Sequence, residues 1–368
     1  MNRSEINTLN YEKTSIQNFN SLIALHSHPK TNEIYIAEQL GKIYRIIREK
    51  EEIELVLDIT SKLIPDLEGE YEERGLLDFV FHPTGTILYV VYSAPTSSSS
   101  SKTFLYENLL VSYKRKNQKW DLNSEEILFT VPKQNTFHQG GRLLIYKNYL
   151  YVTVGDDGPQ GDPFLHGQDL SVPYGKLFRT SLNKKIKFEM VAYGLRNVWS
   201  ISADPVNDRI FLGDVGYNTR EEVNLFYPEE GQLINYGWPL FEGSLITSSK
   251  KERENKKYKE AWNRMEENKQ DLKFPIYEYP TKPGRSVIGG FFINDEIGYV
   301  FGDLTGYLFT IVENKETLKW ELDQTKRLPS GYSLKSFGQD TKRGIVYALV
   351  DKKQGIKSGQ AEILKISF

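Results

Sequence analysis

The sequence contains no cysteine. Disulfide staples, thiolate metal sites and a cysteine nucleophile are thereby excluded, while the redox compartment stays open. Long apolar runs are missing too. Met1 to Asn20 is polar and lacks the hydrophobic core of a secretory signal, and no later stretch is long enough to cross a bilayer, so a soluble, unexported chain is expected. Nor does one sign of charge dominate: 47 Lys and Arg stand against 49 Asp and Glu, a net charge of −2. That balance gives no overall field for nucleic acid or an anionic membrane, and neither is expected as a partner.

What the chain does have is length and β-prone repetition. Its 368 residues, 39% of them hydrophobic, can bury a large core, and as one domain they belong with barrels or propellers. One unit recurs: an apolar strand, a Gly or Asp turn, and a second strand ending in a basic or polar residue. The first three copies are Glu33 to Ala37 with Gly41 to Ile46, Ile87 to Tyr92 with Leu109 to Tyr113, and Tyr149 to Val154 with Gly175 to Arg179. Arg209 to Gly213 with Glu222 to Phe226, Gly298 to Gly302 with Gly306 to Ile311, and Gly344 to Val350 with Glu362 to Ile366 follow. Their spacing, very roughly fifty to ninety residues, is wider than that of the commonest propeller repeats.

Six copies predict six blades. Apolar–polar alternation over Lys42 to Arg45 and Tyr307 to Thr310 favours antiparallel sheet over helix. The predicted fold is all-β: a single six-bladed β-propeller of four-stranded antiparallel blades over residues 1–368, with ligands taken at the central channel. A pair of β-sandwiches is the alternative, and the even dispersal of the copies argues against it. Two segments break the pattern. Thr96 to Lys102 is a serine run, read as a surface loop without function. An insertion at about 248–273 is dense in Lys, Glu, Asn and Gln, and the spacing of Tyr258, Trp262 and Met265 predicts a short amphipathic surface helix. Its acids nearly cancel its lysines, which favours a solvated face over a basic docking patch.

From His138 to Gly237 the chain repeatedly sets a polar or charged residue beside glycines at the end of an apolar run. There the backbone can turn sharply and a ligand can approach, so function is expected on loops at the strand ends. His138 lies among glycines and could act as a general base near neutral pH; a histidine bonded to backbone inside a blade is the alternative. His82 reads as that structural kind, and His26, His28 and His166 read as loop residues. Arg196 and Asn197 follow a Tyr-Gly-Leu turn, where the guanidinium could stabilise charge developing on a carbonyl or quinone oxygen, or could merely close the turn. Asp156, Asp157, Asp162, Asp169 and Asp214, with Glu221 and Glu222 close behind, form acidic loops of the kind that suit Ca²⁺ if several converge after folding. Asp-Gly turns without any metal are the competing reading.

Taken in order, the motifs at His138 to Leu143, Val154 to Gly158, Gln168 to Leu170, Gly175 to Arg179, Gly194 to Asn197, Gly213 to Gly216, Glu221 to Asn224 and Asn235 to Pro239 resemble the glucose/sorbosone dehydrogenase family. Gly75 to Pro83 upstream, and Pro275 to Tyr279, Ser286 to Gly290 and Phe301 to Asp303 downstream, extend the resemblance over nearly the whole chain. That family contains soluble sugar dehydrogenases dependent on pyrroloquinoline quinone (PQQ) and the related domain of hedgehog-interacting-type proteins. The resemblance implies a six-bladed propeller and a sugar substrate, in a monomer or homodimer. It implies that His138 removes the anomeric hydroxyl proton, and that Arg196 and Asn197 line the quinone together with Gln139 and Glu73. It further implies Ca²⁺ at the loop of Asp214, Gly216, Tyr217 and Glu221.

The sequence also departs from the family's pattern. Where active relatives place cations on the quinone's carboxylates, the corresponding loops read Leu304-Thr305 and Gly331-Tyr332-Ser333. Each charge-assisted hydrogen bond so lost is worth about 1.5–3 kcal/mol. Lys282, Arg285, Lys335 and Arg343 are the nearby candidates to replace them, and Phe137 stands where a polar residue often precedes the histidine. Two functions follow: a PQQ-dependent aldose dehydrogenase with His138 as base, or a non-catalytic, Ca²⁺-binding propeller that binds a carbohydrate or protein partner.

Overall fold

The computed structural model describes residues 7–16, 19–47, 50, 52–96, 104–229, 231–247, 255–282, 286–353 and 355–367. The serine run from residue 97 onward, Arg285 and the first residues of the expected insertion, 248–254, lie outside the described residues.

Six antiparallel four-stranded blades follow one another around a ring, as the recurring units predict, the first and last joined by a parallel bridge between their inner strands. The first blade is Leu22–Ser27, Ile34–Glu38, Lys42–Ile47 and Glu52–Asp58; the second is Leu76–Phe81, Ile87–Ala94, Tyr106–Lys116 and Lys119–Lys133. Gly140–Tyr146, Tyr149–Val154, Lys176–Ser181 and Glu189–Tyr193 make the third, and Val198–Asp204, Arg209–Asp214, Arg220–Phe226 and Tyr277–Pro280 the fourth. The fifth is Val287–Asn294, Gly298–Asp303, Tyr307–Glu313 and Trp320–Arg327. Ser333–Asp340, Ile345–Asp351 and Ala361–Ser367 form the sixth, whose fourth strand is the N-terminal Asn10–Lys13, paired antiparallel with Ala361–Ser367. A strand from one end of the chain thus completes a blade built from the other, and the ring is closed by backbone hydrogen bonds.

Each blade packs both faces against neighbours, so its second strand is buried on both sides and its third strand less completely, as at Lys42–Ile47 and Tyr307–Glu313. The second strands, such as Ile34–Glu38, Arg209–Asp214 and Gly298–Asp303, are buried along their whole length, and these pairs are the parts that recur visibly in the sequence. The buried hydrophobic side chains form clusters between successive blades: Phe79, Val90 and Tyr113 of the second blade pack with Tyr35 and Val56 of the first, and Val152 and Phe178 of the third with Leu77 and Tyr89 of the second. The inner strands of the first and last blades run parallel where they meet, at Leu25 and Gly338. Inner strands that share a direction bring the loops preceding them to one end of the channel, together with the loops between second and third strands. The glycine-rich motifs are drawn from both kinds of loop.

Across the channel itself, the Arg142 guanidinium lies 4.5 Å from the Trp199 ring. Arg142 donates to the carbonyls of Ile23 (3.2 Å) and Leu77 (2.8 Å), and Trp199 Nε1 to that of Lys335 (3.1 Å). Five inner strands are tied together by two side chains. The expected helix is Lys256–Glu267, capped by the Asn255 side chain on the N–H of Lys257. It belongs to a long connection between the third and fourth strands of the fourth blade, and its Ala261 and Met265 pack on Leu165 and Leu240.

Candidate active site

His138 enters the third blade's inner strand with φ +57°, followed by Gly140 and Gly141 at +62° and +75°. Across the hairpin lies Gly155, where an added Cβ would stand 2.0 Å from the His138 carbonyl oxygen. Only glycine lets the two loops touch so closely. The contact sets His138 beside Asp156, and Nδ1 lies 2.6 Å from Asp156 Oδ1. The other ring nitrogen, Nε2, is 2.9 Å from Arg196 Nη2. A carboxylate, an imidazole and a guanidinium therefore stand in line, all three buried.

Each member is held from behind. Asp156 Oδ1 also accepts from the N–H of Gly158 (2.9 Å), and Oδ2 from Trp238 Nε1 (2.8 Å). Burial works to raise the Asp156 pKa, but the charge and hydrogen bond of His138, the charge of Arg196 and the Gly158 N–H outweigh it and hold the acid down to about 2. Arg196 Nη1 donates to the Val215 carbonyl (2.9 Å), and its guanidinium lies 5.8 Å from the Tyr217 ring and 5.5 Å from that of Trp238. With Asp156 accepting the Nδ1 proton, the Nε2 lone pair faces Arg196 and is the atom that can take a proton from a substrate.

The other residues singled out in the sequence have different work. Glu73 Oε2 accepts from the backbone N–H groups of His138 (2.8 Å) and Gln139 (3.3 Å) and from Asn197 Nδ2 (3.4 Å). Asn197 Oδ1 accepts from the Gly140 N–H (3.1 Å). Both clamp the backbone around His138. Gln139 turns toward the second blade, where Oε1 accepts from Tyr106 and Asn108, each at 3.0 Å. His26 lies on an inner strand, not in a loop, with Nε2 2.9 Å from Asp78 Oδ1. His28 is buried at that strand's end against the Gly85 carbonyl (3.0 Å), and His82 meets Thr84 in a surface turn (2.8 Å). His166, in a short 3₁₀ turn, has Nδ1 2.9 Å from the Asp156 carbonyl.

At the loop where Ca²⁺ is expected, the Asp214 oxygens and Glu221 Oε2 already accept backbone N–H groups, while Glu221 Oε1 is buried without a partner. Both oxygens of Asp214 accept backbone N–H groups, from Arg196 (2.9 Å) and Asn197 (2.6 Å), while burial raises its pKa to about 6. Glu221 Oε2 accepts from Gly216 (3.2 Å) and Val287 (2.9 Å), so Gly216 presents a donor to it, and Tyr217 gives its ring to Arg196. Burial drives Glu221 to about 8, against those two N–H groups, which favours the neutral acid. Among the described residues no three His, Asp or Glu side chains converge as ligands of one ion. For a quinone the picture is mixed. Arg196 Nε is buried without a partner and suits a carbonyl oxygen, so the residues fit the reacting edge of that group. Of the described cation candidates for its carboxylates, Lys335 begins the sixth blade's inner strand with Nζ 3.9 Å from Asp351, and Arg343 pairs with Asp340 at 3.1 Å on a hairpin at the opposite end of the channel. At that end a cavity of about 650 Å³ is lined by residues such as His26, Ile201, Phe291 and Gln339, with no charged side chain except histidine.

Asp156 and Trp238 were the functional partners least visible in sequence. The hairpin supplied only part of the signal for Asp156: Lys147 and Asn148, both at positive φ, form the two-residue turn that fixes register, and counting back from it sets residue 138 opposite 157, whereas a bulge between Gly140 and Leu143 shifts the pairing by one and brings Asp156 there. Trp238 stood in the Asn235 to Pro239 motif, but nothing in the sequence pointed to its contact with Asp156 and Arg196 from the fourth blade's long connection.

A propeller whose channel mouth carries an imidazole between a carboxylate and a guanidinium is of the class that holds its chemistry on strand-end loops. The chain belongs to the Glucose / Sorbosone dehydrogenase family, whose sequence model matches residues 19–355. It is 28% identical over 198 residues to the aldose sugar dehydrogenase YliI of Escherichia coli K12, covering 48% of this chain and 49% of that one. To the HIPL1 protein of Arabidopsis thaliana it is 26% identical over 221 residues, 49% of this chain and 30% of the other. The chain thus spans less than half the length of these relatives. In fold it is similar to the soluble aldose sugar dehydrogenase of Escherichia coli in its apo-form, with a TM-score of 0.71 at 20% identity over 98% of this chain and 99% of that one. A glucose dehydrogenase-type structure from Thermus thermophilus gives 0.70 at 19%, over 98% and 100%.

Proposed function

We propose that the protein oxidises an aldose at its anomeric carbon, with His138 as the base. The observation that carries this is the line Asp156–His138–Arg196, with separations of 2.6 and 2.9 Å. Asp156 fixes the imidazole as the Nδ1–H tautomer, which leaves Nε2 to take the hydroxyl proton. That lone pair now accepts from Arg196, so the substrate hydroxyl must take the place of one guanidinium N–H. Arg196 then stands beside the reacting oxygens, and its unspent Nε–H is a donor for a carbonyl. Family membership supports a quinone as electron sink, which when bound would accept the hydride leaving the anomeric C–H. The tight backbone around His138 keeps the base fixed, which limits reorganisation during proton transfer.

Protein supplied with Ca²⁺ and PQQ is expected to reduce an artificial dye with at least one aldose of a panel, and to retain quinone absorbance after gel filtration. His138→Ala and His138→Asn should both abolish turnover, and the Asn variant should melt higher because asparagine tolerates the left-handed backbone at φ +57°. No turnover with any aldose and no retained quinone would overturn the proposal. A second reading, a non-catalytic propeller binding a carbohydrate or protein partner, is favoured by the lack of lysine or arginine at Leu304-Thr305 and Gly331-Tyr332-Ser333 and by the 4% exposure of His138; it expects ligand binding that survives His138→Ala.

A further inference from the structure

Glu242 ends a two-residue strand in the fourth blade's long connection and is 1% exposed. Its Oε1 accepts from four successive backbone N–H groups, those of Tyr217 (2.6 Å), Asn218 (2.8 Å), Thr219 (2.9 Å) and Arg220 (3.2 Å). Oε2 accepts from the Thr219 hydroxyl at 2.5 Å. Consecutive N–H groups curled around one point form an anion-binding nest, and here the anion is a side chain of the same protein. The loop is wound tightly about it, since a Cβ added at Gly216 would stand 3.0 Å from Glu242 Oε1 and 1.7 Å from the Arg220 carbonyl oxygen.

The same loop aims Arg196. Its Val215 carbonyl accepts from Nη1, and its Tyr217 ring stands against the guanidinium. Four residues before Glu242, Trp238 flanks Arg196 and binds Asp156. We propose that Glu242 is a positioning residue, the built-in anion that shapes the 215–220 loop so that Arg196 is directed onto His138 Nε2. The inference rests on Arg196 and His138 being the working pair. Its test needs no sugar, quinone or turnover, so the two ideas can fail separately.

Glu242→Ala empties the nest. In nitrogen-15 NMR of histidine-labelled protein, with His138 assigned by His138→Asn, the variant is expected to shift the His138 Nε2 signal toward that of an imidazole nitrogen free of its guanidinium partner. The signals of His26, His28 and His82 should stay in place. Formate, small enough to enter the vacated nest, is expected to return the His138 signal, whereas trimethylacetate, too bulky to enter, should not. An unchanged His138 signal in the folded variant, or a shift that formate leaves untouched, overturns the proposal. Should Glu242→Ala fail to fold, Glu242→Gln, which keeps the volume and loses the charge, takes its place: a smaller shift is expected, and a wild-type signal there overturns the proposal as well.

Discussion

Replacing Asp156 by Asn changes one buried atom and leaves no arrangement in which every neighbour is satisfied. The carboxylate is surrounded by donors: His138 Nδ1, the Gly158 N–H and Trp238 Nε1. If the introduced amide keeps its oxygen toward His138 and Gly158, its NH₂ confronts the Trp238 N–H. If the amide flips, NH₂ confronts Gly158 and forces the imidazole into the Nε2–H tautomer, donor against donor with Arg196. The Asp156 pKa is held at about 2 against an ordinary 3.8, a linkage contribution of about 2 kcal/mol. A charge-assisted bond lost to a buried donor adds about 1–2 kcal/mol, so destabilisation by about 3–4 kcal/mol is expected, or about 4–5 °C in melting temperature for a chain of this size. The folded pKa is depressed, so this stability is present above pH 4 and lost as pH falls toward 2. The wild-type advantage in calorimetric melts should be full at pH 5–8 and smaller by about 1 kcal/mol at pH 3. Turnover should fall about 10²–10⁴-fold with the tautomer. Equal melting temperatures at pH 7, or a gap that does not narrow in acid, would refute the account of Asp156 as a buried anion that orients the base.

Two further expectations concern the same loops. Gly155→Ala places a Cβ 2.0 Å from the His138 carbonyl oxygen; because the clash is with backbone, a loss above about 4 kcal/mol is expected, and a wild-type melting curve would contradict the loop contact. Asp162, whose carboxylate accepts from His166 and Gly167 at 2.9 and 2.8 Å, is raised to about 8 by burial and by the nearby Asp156 charge, against those N–H groups and Lys176. A raised folded pKa gives stability that is full below about pH 4 and lost as pH rises through 8. Asp162→Asn should therefore gain on the wild type in melting temperature between pH 5 and pH 8, and a pH-independent difference would count against the buried protonated acid.

The fold was legible because of which strands a propeller buries on both faces. Every copy found in the sequence is a pair of second and third strands, such as Tyr149–Val154 with Lys176–Ser181. The outer strands were not legible: Glu52–Asp58 and Trp320–Arg327 keep one face in water and read as mixed polar sequence. The closing strand Asn10–Lys13, with a single half-buried residue, Tyr11, could not be recognised, because what makes it a strand is a partner more than 350 positions away. The helix at Lys256–Glu267 was legible from spacing alone, since its apolar residues meet one small cluster.

The acids show where residue type stops being informative. A carboxylate in a glycine-flanked loop looks the same in sequence whether it waits for a cation or binds the protein's own N–H groups, and here the second use prevails. Asp214 fixes the backbone of Arg196 and Asn197, Glu73 that of His138 and Gln139, and Glu242 four residues of the loop beside Arg196. These loops are long, turn repeatedly through left-handed backbone and have few ladder partners, so their N–H groups need acceptors that sheet pairing does not supply. Three carboxylates supply them, and a fourth, Asp156, does the same for one imidazole and one indole. Of the acids that suggested a metal, Asp156 and Asp214 are engaged in this way while Glu221 keeps Oε1 buried without a partner, and the precision of His138 against Arg196 follows from the backbone that these carboxylates hold.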